Sequence, residues 1–235
     1  MSKMTRCCLM IILSLAIPAW ALAAAPTPVK TAAYTNPIKL ACVGDSITQG
    51  VGTAKGQSWP TQIQKLLGAG WQVKNFGISG TTLLKGGDRP YQKHPAFANA
   101  KAFNPDVVVI ILGTNDTKPQ NWKIKDQFVA DYQDMIKQFA ELPSKPRIFI
   151  CYPPYIAGKG NFGINEENTK AEFPMIDKAA GAMKVDVIDV HGALVGKDAL
   201  IPDRVHPNTA GAAEIAKAVY TGLTGKTPPA EAPAK

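Results

Sequence analysis

Between residues 38 and 224 the chain alternates two kinds of hydrophobic pattern. Short, strand-like segments rich in apolar residues fall at 38–43, 71–76, 107–112, 147–151 and 185–190. The third, VVVIIL, is the clearest: it is rich in β-branched residues and stops at Gly113. Between the runs lie stretches with apolar residues three to four positions apart. They predict helices over 58–68, with Pro60 tolerated in the first turn, and over 124–142, through Phe128, Tyr132, Met135, Ile136 and Phe139. A helical region at 165–183 carries Pro174, which predicts a kink or a restart, and an Ala-rich helix closes the pattern at 208–223. Strands alternating with helices of this length imply parallel pairing through right-handed crossovers. The expected fold is α/β: a three-layer α/β/α, flavodoxin-like sandwich around a five-stranded parallel sheet of order 2-1-3-4-5.

The flanks have a different character. Residues 1–25 combine Lys3 and Arg6, an apolar centre too short for a bilayer, and the small-residue ending Ala21-Leu22-Ala23-Ala24-Ala25. This is the pattern of a secretory signal peptide, and it predicts a secreted or periplasmic protein with no stable membrane anchor after cleavage. Residues 26–37 have the Ala/Thr/Pro composition of a linker, 38–224 form the domain, and 225–235 (GKTPPAEAPAK) read as a disordered tail. A length of 235 residues with 46% apolar content suits one well-filled core. Loss of Lys3 and Arg6 with the leader lowers the net charge from +8 to +6. The charge is spread without a Lys/Arg run, so it reads as a mildly basic surface and not as a nucleic-acid arm. Of four cysteines, Cys7 and Cys8 leave with the leader. Cys42 and Cys151 fall on the first and fourth strands, which are not neighbours in the expected order, so two free buried thiols are predicted.

In an open parallel sheet, ligands bind beyond the carboxyl ends of the strands. The segments found there are Gly44-Asp45-Ser46 after the first strand, Asn75-Phe76-Gly77-Ile78-Ser79-Gly80 after the second, Gly113-Thr114-Asn115-Asp116 after the third, and Asp203-Arg204-Val205-His206 beyond the fifth. Each has a plain structural alternative: a capped turn, a glycine turn, a glycosylation sequon at Asn115-Asp116-Thr117, a loop entering a helix. The sequon is poorly placed for modification, hard against the most buried strand. Together the four segments would put a hydroxyl, oxyanion donors and a carboxylate–imidazole pair on one rim, as nucleophilic catalysis requires. His94 and His191 lie outside them and read as structural or surface groups, and neither H-E-x-x-H nor a phosphate-binding glycine loop is present.

The order and spacing of these four segments resemble the SGNH (GDSL-type) hydrolases over nearly the whole stretch from Ile38 to Leu223. The resemblance implies a catalytic triad of Ser46, His206 and Asp203, with an oxyanion hole from the backbone N–H of Ser46, the N–H of Gly80 and the side-chain amide of Asn115. Arg204 stands where many members have glycine, which leaves the D-x-x-H spacing intact. The G-x-S-x-G pentapeptide of α/β-hydrolases is absent. No metal or cofactor is implied. In such a site the serine becomes nucleophilic only when an imidazole takes its proton, and the carboxylate sets that ring's tautomer.

The substrate is less sharply written. Lys118-Pro119-Gln120-Asn121-Trp122, Tyr152-Pro153-Pro154-Tyr155 and Phe162 place amides and aromatics in loops near the site, suited to a sugar's polar edge and apolar face. Trp122 and Tyr155 could equally pack loops onto the body. Asp45, Trp122, Tyr155 and Arg204 are the candidate substrate-binding residues. GTNDTKPQNW with the later Pro-Pro-Tyr resembles secreted carbohydrate (sialate-type) O-acetylesterases, implying a small-molecule or glycan ester as partner. A lysophospholipase or thioesterase-like enzyme and a non-catalytic glycan-binding module are the alternatives. Oligomeric state is not written in the chain.

Overall fold

A computed structural model describes residues 25–229. The expected leader and the end of the expected tail lie outside the described residues. Five strands, β1 (Ile38–Gly44), β2 (Trp71–Gly77), β3 (Val107–Ile111), β4 (Arg147–Tyr152) and β5 (Asp186–Asp189), form a parallel sheet in the order β2-β1-β3-β4-β5. The helices are α1 (Ser46–Gln49), α2 (Trp59–Leu67), α3 (Pro95–Ala102), α4 (Pro119–Trp122), α5 (Phe128–Ala140), α6 (Glu166–Ala171), α7 (Phe173–Met183) and α8 (Thr209–Thr224). This is the α/β sandwich that the alternating pattern predicts.

The apolar stretches of the central strands β1 and β3 follow from burial on both sheet faces. Along β1, Leu40 and Cys42 join the core formed with α2 and α8, whereas Ala41 and Val43 join the core formed with α3, α5 and α7. The run from Val107 to Leu112 divides the same way, and all six of its side chains are fully buried. With no solvent-facing side, no position is left for a polar residue. Pro174 restarts the helix as expected: α6 ends at Ala171, and α7 begins at Phe173 with the proline in its first turn. Asn208 caps α8, its side chain accepting from the Gly211 N–H at 3.0 Å. Cys42 and Cys151 are free and buried, on strands separated by β3.

Two features go beyond the pattern read from the sequence. Residues 26–37, which have the composition of a linker, lie against the domain. Val29 is buried and its N–H donates to the Leu223 carbonyl at 2.8 Å, Arg147 donates to the Thr27 carbonyl at 3.1 Å, and Tyr34 packs against the core. Two apolar side chains in a polar stretch tie it to the domain, which its average composition conceals. The second is α3, which has no counterpart in the predicted elements. Its eight residues, PAFANAKA, are nearly all small, with too few bulky side chains to show a helical period.

Candidate active site

The carboxyl end of the sheet gathers the four segments. β1 ends at Gly44, Asp45 caps α1 by accepting from the Ile47 N–H at 2.9 Å, and Ser46 opens that helix. Ser46 Oγ lies 2.9 Å from His206 Nε2, although the two residues are 160 positions apart. His206 Nδ1 lies 2.7 Å from Asp203 Oδ2. The other oxygen of Asp203 accepts from the backbone N–H groups of His206 at 2.7 Å and Val205 at 3.0 Å. Burial acts to raise the pKa of Asp203, but these bonds outweigh it and hold the carboxyl below the usual range, so it carries its charge at neutral pH.

Gly80 and Asn115 face Ser46 across the cleft. Gly80 has φ +77°, and a Cβ there would have nothing closer than the Arg89 side chain at 3.6 Å. Backbone conformation, not crowding, is what the position demands of its residue. Among the described residues, the Gly80 N–H and the Ser46 N–H donate to no other protein group, so both are available to an incoming oxygen. Asn115 Nδ2 donates to the Thr81 carbonyl at 3.1 Å and, more weakly, to Asp45 Oδ2 at 3.4 Å. Its own carbonyl accepts from Asn121 Nδ2 at 2.8 Å, which gives the amides of the KPQNW segment a scaffolding role. Asn115 and Asp116 are buried, as expected for a sequon unsuited to modification.

Beneath this rim lies a layer of buried acids. Asp116 accepts from the N–H groups of Leu83 and Leu84 at 3.0 and 2.7 Å, fastening the loop after Gly80 to the turn that carries Asn115. Burial pushes its pKa up to about 7 and that of Asp45 up to about 6. Glu172 is fully buried, neither carboxyl oxygen has a hydrogen-bond partner among the described residues, and a Cβ on Gly113 would collide with it. Burial, with the charges of Asp116 and Asp45, pushes its pKa well above the usual carboxylate range. Such a group favours folding while it is protonated in both states. That contribution is lost as pH rises from the ordinary glutamate value, about 4.3, toward the folded value. Glu172→Gln is uncharged in both states. Its Tm is therefore expected to exceed the wild-type Tm at pH 8, with the gap closing toward pH 4; parallel Tm curves across that range would contradict this.

A cleft of about 200 Å³ opens over Ser46 and His206, lined also by Val51, Ser79, Gly80, Asn115, Lys118, Phe162 and Ile164. Of the candidate substrate-binding residues, Asp45 is fully buried behind Ser46, and three others do not line the cleft. Trp122 packs under Lys125, whose Nζ is 5.1 Å from the ring centroid. Tyr155 packs edge-on to His191 at 5.8 Å. Arg204 is exposed with φ +73°, a left-handed backbone that glycine adopts more readily than arginine. Phe162, Ile164, Val51 and Lys118 stand at the opening instead. Phe162 and Lys118 belong to loop segments that the sequence places near the site, whereas only proximity in the fold selects Ile164 and Val51. His94 caps α3, accepting from the Ala96 N–H at 3.1 Å, and His191 contacts Glu166 Oε1 at 2.7 Å, so both belong to the framework. Among the described residues no group of three or more His, Cys, Asp or Glu side chains could hold a metal ion, and no helix is long and apolar enough to cross a membrane.

Comparison with known proteins places this geometry in context. Residues 42–214 match the model of the GDSL-like lipase/acylhydrolase family. An acetylxylan esterase of Xylanibacter ruminicola is 37% identical over 208 residues, covering 79% of this chain but 43% of that protein. The chain thus spans less than half the length of this curated relative. Among solved structures, a putative arylesterase from Agrobacterium tumefaciens superposes with a TM-score of 0.65 at 22% identity, covering 78% of this chain and 97% of that one. A carbohydrate acetylesterase from Sinorhizobium meliloti superposes with a TM-score of 0.64 at 21% identity, covering 78% and 96%. These structures share the fold. With its family model matched across most of its length, the chain belongs to the GDSL-like lipase/acylhydrolase family.

Proposed function

We propose that the protein is an exported serine esterase that removes short acyl groups, acetyl above all, from carbohydrate hydroxyls. The observation that carries the reading is the hydrogen-bonded series Ser46–His206–Asp203, set beside unused N–H donors in a small cleft. His206 Nε2 takes the Ser46 proton as Oγ attacks the ester carbonyl carbon. The carbonyl π pair moves onto oxygen, and that oxyanion is received by the N–H groups of Ser46 and Gly80 and by Asn115 Nδ2, which turns from its long contact with Asp45. The tetrahedral intermediate collapses, the bond to the alcohol oxygen breaks, and the imidazolium returns its proton to the departing alkoxide. Water, deprotonated by the same imidazole, then attacks the acyl-Ser46, releasing the carboxylic acid and restoring the hydroxyl. Asp203, held charged, keeps the proton on Nδ1 and stabilises the imidazolium.

Cleft size supports a short acyl group: about 200 Å³ is below the 300–1,000 Å³ typical of pockets for larger ligands. The acetylxylan esterase relative supports an acetylated carbohydrate, and the leader pattern supports export. A series of p-nitrophenyl esters tests the acyl part. kcat/KM is expected to be highest for acetate and to drop steeply beyond about four carbons. A rate that rises toward eight carbons would replace this reading with a lipid acyl hydrolase.

A further inference from the structure

The loop between β4 and α6 displays one aromatic ring beside His206. Phe162 is 56% exposed, yet its ring centroid lies 5.8 Å from that of His206. Its backbone is left-handed, φ +54°, a conformation that bulky residues rarely adopt. The turn holding it is closely tied. The Asn161 N–H donates to the Ile164 carbonyl at 3.2 Å, and the Ile164 N–H donates back to the Asn161 carbonyl at 2.8 Å. Asn161 Oδ1 accepts from the Phe162 N–H at 2.8 Å, and Asn161 Nδ2 donates to the Asp203 carbonyl at 3.1 Å. Ile164 beneath is buried. An exposed phenyl ring in a strained conformation, on a turn anchored to the residue that orients His206, is costly for a surface loop and is explained by contact with a ligand.

We infer that Phe162 is the platform on which the sugar ring of the substrate stacks, a specificity-determining contact for the alcohol side of the ester. The inference rests on the esterase reading above. In that chemistry the departing oxygen must come within hydrogen-bond reach, about 3 Å, of His206 Nε2, whereas the carbonyl oxygen turns toward Gly80 and Asn115. The alcohol is therefore the part of the substrate beside the imidazole, where the Phe162 ring lies. A pyranose offers an apolar C–H face to an aromatic ring and keeps its hydroxyls in water. A lipid chain would need a continuous apolar track. The exposed large hydrophobic side chains among the described residues are Val51, Phe162 and Val195, too few to provide one.

The test compares two substrates and two variants. Phe162→Asn removes the ring and places there a residue that accepts the left-handed backbone. Its KM for an acetylated xylo-oligosaccharide is expected to rise about tenfold with kcat within about twofold, as loss of an aromatic contact made equally in ground and transition states predicts. The loss in its kcat/KM for ethyl acetate, whose alcohol is too small to cover the ring, should be at least about fivefold smaller than the loss for the oligosaccharide, and Phe162→Trp should retain the oligosaccharide KM. Equal losses on both substrates, or no loss on either, overturn the platform. A wild-type enzyme that cleaves ethyl acetate but not the oligosaccharide overturns it together with the carbohydrate reading, while the Ser46 chemistry stands. A wild type inert toward both defeats the esterase reading itself, and the platform falls with it.

Discussion

Ser46→Ala is expected to lower kcat for p-nitrophenyl acetate by about 10⁴- to 10⁶-fold while leaving the fold intact. The side chain is buried, and its one hydrogen-bond partner among the described residues is His206 Nε2, so removing the hydroxyl deletes the nucleophile and little else. Without Oγ the imidazole could at best activate a water molecule, and no acyl-enzyme forms. The oxyanion donors remain, so a residual rate above the uncatalysed one is expected. Stability should change by less than about 1 kcal/mol, because a single hydrogen bond to a partly solvated imidazole is lost. Turnover and thermal melting of the same preparation decide the matter. More than about 1% of wild-type kcat in a fully folded variant would move the nucleophile elsewhere.

Asp203→Asn is expected to cost about 10³- to 10⁴-fold in kcat, with a smaller effect on KM. In the wild type one oxygen of Asp203 accepts from two backbone N–H groups and the other faces His206 Nδ1. Asparagine has one oxygen to serve both sides. If that oxygen keeps the backbone bonds, the amide N–H₂ faces Nδ1, and the ring must carry its proton on Nε2, where it cannot accept from Ser46. If the side chain flips, the N–H₂ group opposes two backbone N–H donors and the turn from Asp203 to His206 loses its anchor. The Asp203 side chain is 38% exposed, so water can take up part of the lost interaction. The lower end of the range is therefore expected. A kcat within about tenfold of wild type would remove Asp203 from the relay.

Much of this was legible because buried parallel strands leave a one-dimensional trace. With both sheet faces covered, β3 is apolar throughout and β1 from Leu40 to Val43, and the residues that follow them must stand at the ligand-binding edge. Ser46 and Asn115 could thus be placed at that edge from position, whereas His206, reached through a long loop after β5, and the roles of all three rested on the resemblance to the SGNH hydrolases. Residues 26–37 were illegible for the opposite reason: two side chains, Val29 and Tyr34, fasten the segment, and a compositional average dilutes them. Trp122 and Tyr155 were plausible at the opening because sequence distance from a motif resembles spatial distance only within a turn or so. The fold turns both rings toward framework partners and brings Phe162 to the imidazole instead.

The order of strands and helices, the residue types at the sheet edge and the unpaired cysteines follow from local periodicity and the connectivity rules of parallel sheets, both of which act on the linear chain. Distances and ionisation do not. Closing 160 positions to 2.9 Å between Ser46 and His206, lifting the pKa of Asp116 to about 7 and burying the Glu172 carboxyl without a hydrogen-bond partner among the described residues depend on which elements converge and how much water they exclude. Those are properties of packed volume, which exist only once the layers have come together.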